Sequence, residues 1–112
     1  MRWFRRTADG DGTVRILDAT ATAAPRRIVV RLRISNVGPT RAVYAIELSD
    51  PTTDMGHRGV TVPLDGGATT TVSIDVDAGG WQAGQHTITA TLSSDLAGNA
   101  LATDTTIIQI SP

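Results

Sequence analysis

The sequence contains no cysteine among its 112 residues. That single absence removes disulfide frameworks, Cys-ligated zinc and thiol chemistry, and leaves stability to the core alone. Lysine is absent too: all ten basic side chains are arginine, set against ten aspartates and one glutamate. This bias fits a GC-rich coding genome; a salt-adapted chain would carry a larger acidic excess than the net charge of −1 found here. A charge so near zero supplies no global field toward nucleic acid or acidic lipid. Nucleic-acid binding would also want interleaved aromatics, and aromatics make up only 4% of the chain. The core must therefore be aliphatic. No run approaches the roughly 18 apolar residues of a membrane span, so membrane insertion is not expected. Met1-Arg2-Trp3-Phe4-Arg5-Arg6-Thr7 is basic but has no apolar stretch behind it, so it does not read as a secretory signal.

What the sequence does have is alternation. In Arg27 to Ser35, Ile28, Val30, Leu32 and Ile34 share one parity, while Arg27, Arg31, Arg33 and Ser35 share the other, with Val29 as the one apolar exception. Successive strand side chains point to opposite faces, so this is a strand with a dry face and a basic face. Asn36 and Gly38 then supply turn chemistry. The same pattern recurs in Thr13 to Asp18, Arg41 to Ser49, Val60 to Val62, Ala68 to Val76, His86 to Ser93 and Thr103 to Ile110. Between them lie an Ala- and Thr-rich linker from Ala19 to Pro25, a long polar loop from Asp50 to Gly59, a turn at Leu64 to Gly67, a Gly-rich corner from Asp77 to Gln85 that holds Trp81, and a loop from Asp95 to Ala100. Short strands at intervals of roughly a dozen residues, with no helical periodicity, predict an all-β, Ig-like antiparallel β-sandwich of about seven strands. It would occupy residues 13–112, behind an N-terminal arm of residues 1–12. Arg31 and Arg33 are expected to meet carboxylates such as Asp75 or Glu47 across strands.

Three segments in this order resemble one family: Ile34-Ser35-Asn36-Val37-Gly38, then Val60 through Pro63-Leu64-Asp65-Gly66-Gly67 to Val72, then Trp81-Gln82-Ala83-Gly84-Gln85-His86 through Leu92. Together they resemble the CARDB/APHP group of bacterial and archaeal Ig-like domains over about Ile28 to Ser93. That resemblance implies a sandwich used for display or adhesion, with no catalytic residues to carry over. His86 departs from it, standing where the family usually has tyrosine. So does the presence of a single copy, since the family is usually found as repeats in exported proteins.

Chemistry has few footholds. His57 lies in the long loop near Asp50 and Asp54, but a metal site needs three or more converging ligands, and neither a metal nor a cofactor is expected. His86 is expected to pack at a sheet edge. Ser73 or Ser93 could complete a triad on paper, but no nucleophile elbow is present. Asp9-Gly10-Asp11-Gly12-Thr13 opens like a calcium loop, then lacks the later oxygen ligands and the closing glutamate. The paired glycines at 66–67 and 79–80 precede no helix and make no phosphate cradle. The candidates for partner binding are Trp3, Phe4 and Arg5 in the arm, Arg31 and Arg33 on the basic face, and His57 in the long loop. Trp and Arg dominate binding hot spots, so the arm either docks on a partner or folds back to cap the sandwich.

The expectation is a non-enzymatic structural or interaction protein whose partner is another protein, such as a capsid or tail lattice or other copies of itself. A chain that starts at its own Met and ends after its last strand fits a virion accessory, either capsid-decorating or tail-associated. The alternative is an extracellular cell-surface adhesion or carbohydrate-contacting module.

Overall fold

The structure, a computed structural model, describes residues 12–22, 26–50, 58–94 and 100–111. Seven strands follow one another along the chain: β1 (Thr13–Ala21), β2 (Arg27–Ser35), β3 (Ala42–Ser49), β4 (Arg58–Leu64), β5 (Thr69–Asp77), β6 (Gly84–Ser94) and β7 (Ala100–Ile110). They form two sheets, ordered β1-β2-β5 and β4-β3-β6-β7. Every pairing is antiparallel. The all-β, Ig-like sandwich expected from the alternation is the fold observed.

Parity decides what lies between the sheets. Ile28, Val30, Leu32 and Ile34 of β2 are fully buried, as are Tyr44, Ile46 and Leu48 of β3. Ile88, Ala90 and Leu92 of β6, Ile74 and Val76 of β5, and Ile108 and Ile110 of β7 complete the layer. Two aliphatic faces packed in this way exclude water, and each buried Ile or Leu side chain contributes about 1.5–3 kcal/mol relative to exposure.

Several strand bounds differ from the sequence reading, each for a local reason. β1 runs on to Ala21 because a bulge between Ile16 and Asp18 resets its register on β2, which lets Ala19 and Ala21 pack on the core. β4 continues through Pro63 to Leu64. It is an edge strand, so a residue without an N–H is tolerated there when that position faces away from β3. β6 and β7 each begin earlier than expected, at Gly84 and Ala100.

On one side the two sheets close against each other. There β1 lies beside β7, and the Ile16 N–H donates to the Asp104 carboxylate at 2.7 Å. Asp104 shares the inward parity of Ile108 and Ile110 on β7. An inward carboxylate on an edge strand, together with the β1 bulge, blocks strand addition on that side.

Candidate interaction surface

One end of the sandwich is locked by Asn36, which is 1% exposed. Its Nδ2 donates to the Thr40 carbonyl at 2.8 Å and to the Leu64 carbonyl at 3.0 Å, while its Oδ1 accepts from the Gly38 N–H at 3.0 Å. Its own backbone N–H donates to the Ala68 carbonyl, and its carbonyl accepts from the Gly67 N–H, each at 2.9 Å. One asparagine therefore ties the β2–β3 turn to the β4–β5 turn. Gly66 must be glycine for this closure, since a Cβ there would lie 2.4 Å from the Pro39 carbonyl carbon and oxygen. Gly12 is pressed against the same end of the core: a Cβ would fall 2.8 Å from the Tyr44 ring and 2.9 Å from Leu92.

The other end holds a buried polar cluster that the sequence reading missed. His86 Nδ1 lies 2.9 Å from Asp50 Oδ2, and His86 Nε2 lies 2.7 Å from the Gln82 carbonyl oxygen. Both residues are buried, and Trp81 packs on the imidazole with ring centroids 5.0 Å apart. A carbonyl only accepts, so Nε2 carries a hydrogen. Nδ1 faces the Asp50 carboxyl, so both ring nitrogens are engaged within the fold. This is how a buried ionisable pair avoids the cost of an isolated charge.

His86 does not pack at a sheet edge as expected. It sits on β6, an interior strand, paired with Ile108 of β7. It has the inward parity of Ile88, Ala90 and Leu92, and that parity was the available signal. The rim beside it is tied by Arg26, whose guanidinium donates to the Trp81 carbonyl at 2.5 Å and the Ser111 carbonyl at 3.1 Å. Neither serine considered from the sequence joins His86 in a triad. Ser73 lies on the outer face of the other sheet, and Ser93 has the opposite parity to His86 on β6. Among the described residues, no group of three or more His, Asp or Glu side chains gathers to hold a metal.

The outer face of the three-stranded sheet carries the basic side chains, and registration divides them into two kinds. Arg31 lies opposite Asp18 of β1 and donates to its carboxylate, with Nε at 2.9 Å. This hydrogen bond holds the Asp18 carboxyl below the ordinary aspartate range against an opposing desolvation, with a lesser contribution from the attraction of the Arg31 charge. Arg27 donates to Asp75 at 2.9 Å. Arg33 is different. Its cross-strand neighbours are Arg15 of β1 and Thr71 of β5. Both Arg15 and Arg33 are exposed, and among the described residues neither makes an ion pair or side-chain hydrogen bond. Hydroxyl side chains lie one row away: Ser35 and Thr69 contact each other at 2.9 Å, with Thr13 opposite Ser35.

The expected pairing of Arg31 and Arg33 with Asp75 or Glu47 is thus corrected. Asp75 is taken by Arg27, Arg31 takes Asp18, and Glu47 belongs to the other sheet. The β1 bulge brought Asp18 to Arg31, and sequence spacing alone could not locate it. Of the remaining candidates, Trp3, Phe4, Arg5 and His57 lie outside the described residues.

No family model matches the sequence, and no curated protein matches it. Solved structures do match in fold. A β-glucuronidase from Bacteroides uniformis superposes with a TM-score of 0.64 at 13% identity, over 88% of this chain and 13% of its own. A β-glucosidase from Listeria innocua in complex with glucose gives 0.62 at 14% identity, over 92% of this chain and 16% of its own. A β-glucosidase from Kluyveromyces marxianus gives 0.59 at 18% identity, over 92% of this chain and 14% of its own. At these identities the likeness is one of fold. The chain spans less than a fifth of the length of each matched structure.

Proposed function

We propose that this chain is a non-catalytic Ig-like attachment module that works as one part of a larger, carbohydrate-associated protein or assembly. The observation behind the reading is the contrast between its interior and its outer face. Asn36 and the Asp50–His86 pair are engaged within the fold, with both imidazole nitrogens held. Arg15 and Arg33 face each other outward, with no neutralising partner among the described residues. Like charges directly opposite on a sheet are destabilising by themselves. A surface that carries such a pair is suited to an acidic contact on a partner protein.

The matched folds support the setting. Each belongs to a glycosidase chain several times longer than this one, so the fold occurs there as a fraction of a larger protein. The virion accessory suggested by the sequence finds no support in these likenesses, although the attachment chemistry would be the same. The test starts from in-cell cross-linking, which identifies the protein held against β1 and β2. Titration calorimetry with that purified protein then compares wild type with the Arg15→Glu/Arg33→Glu double variant. The expected result is loss of binding in a variant that unfolds close to the wild-type temperature, since one like-charge pair replaces another. Undiminished binding by the double variant would overturn the assignment of this face.

A further inference from the structure

A sandwich of two open sheets has four edge strands, and three of these are protected. β1 and β7 cover one another, with the bulge and the inward Asp104 between them. β4 carries Pro63, which has no N–H to offer. β5 has none of these devices. It spans nine residues, Thr69–Asp77, pairs with β2 without a register shift, and contains neither proline nor glycine.

The hydrogen bonds at its two ends fix which of its backbone groups face outward. The Ala78 N–H donates to the Arg26 carbonyl, and the Ala68 carbonyl accepts from Asn36. The even-numbered residues of β5 therefore bond to β2, because adjacent residues of an antiparallel strand turn their N–H and C=O to opposite sides. The odd-numbered ones, Thr71, Ser73 and Asp75 among them, point N–H and C=O away from the sheet. No described residue outside β2 is hydrogen-bonded to that row. An exposed row of this kind is a template for strand addition.

We propose that β5 pairs with β5 of a second copy of this chain, about a two-fold axis through Ser73, to make one continuous six-stranded sheet. Three features favour a second copy as the occupant. The pairing is self-complementary, as a two-fold interface requires: centred on Ser73, all nine residues find partners and every outward side chain opposes an outward one. Val72 meets the mate's Ile74 on the inner side, where Val72 is only partly buried in the single copy, so apolar surface is covered as well. Charge is also accommodated. Asp75 falls opposite Thr71 of the mate, and Arg33 is the cross-strand neighbour of Thr71. Carboxylates and guanidinium groups then approach across the axis, and no aspartate meets its own symmetry mate. The proposal does not depend on the partner contact at Arg15 and Arg33. Pairing would place two such patches on one continuous face and so make attachment bivalent.

The test uses the full chain. Sedimentation equilibrium is expected to show a monomer–dimer equilibrium, and amide hydrogen exchange to show the Thr71, Ser73 and Asp75 N–H groups gaining protection as concentration rises. Ser73→Pro removes a donor that β2 does not use. It is expected to leave the circular-dichroism spectrum intact and weaken dimerisation roughly tenfold or more, since two edge hydrogen bonds are lost per dimer. Should Ser73→Pro fail to fold, Ser73→Lys keeps the N–H but sets two ammonium groups against each other at the axis, and it is expected to shift the equilibrium toward monomer. A wild type that stays monomeric throughout the concentration series would overturn the proposal. So would a dimer in which those three amides remain unprotected, or a β5 edge protected only by an extended peptide of another protein.

Discussion

The two ends of the sandwich solve the same problem with different chemistry. At each, the chain leaves one sheet for the other and buries polar groups. At the end formed by the β2–β3 and β4–β5 turns, Asn36 answers with a neutral amide that makes three side-chain hydrogen bonds. At the opposite end, Asp50 and His86 answer with two ionisable groups in hydrogen-bond contact at 2.9 Å. A neutral amide is satisfied wherever carbonyls and an N–H are in reach. The acid–base pair depends on two ionisable side chains buried together, and removing either takes a charge-capable partner away from the other.

The largest expected effect follows from that difference. Asp50→Ala should destabilise the domain by about 3–5 kcal/mol, the usual consequence of breaking a buried pair by removing one member. Urea unfolding of wild type and variant measures it, and a loss below about 1 kcal/mol would place the pair in water instead of the interior. Asn36→Ala comes next, at about 2–4 kcal/mol, since the Leu64 carbonyl and the Gly38 N–H lose a buried partner. Gly66→Ala probes the same end, because its Cβ would strike the Pro39 backbone and force the turn apart. A cost of about 1–3 kcal/mol is expected, read from the same urea curves.

The smallest effect belongs to the surface. Asp18 has a lowered pKa, so its pairing with Arg31 contributes stability above the unfolded-state value. That contribution is lost as pH falls through the lowered folded value. Both side chains are exposed, so the effect on unfolding should be slight. The clear readout is an NMR titration of the Asp18 carboxyl, whose midpoint should move up toward the ordinary aspartate value in Arg31→Ala.

The dry layer was legible in the sequence because period-two alternation needs no knowledge of partners: Ile28 through Ile34 had only one way to face. The turn at Asn36 was legible for the same reason, since its chemistry is local. The five hydrogen bonds that make it a clasp were not, because its partners Leu64 and Ala68 arrive from the far side of β4. The Asp50–His86 contact joins residues 36 positions apart. Only the inward parity of His86 hinted at it, and parity alone does not say which distant side chain arrives beside the ring. Ion pairing was the least legible feature. A one-residue bulge in β1 decides that Arg31 meets Asp18 and that Arg33 meets Arg15, and nothing in the local sequence marks Leu17 as the extra residue.

The claim on which the functional reading turns is that Arg15 and Arg33 are kept for a partner at some cost to the isolated domain. Chemical denaturation of Arg33→Glu tests it without knowledge of that partner. Exchanging a like pair for an opposite pair across β1 and β2 should raise stability by about 0.5 kcal/mol. A fall of more than about 1 kcal/mol would show that Arg33 already holds the fold together, and would contradict the account.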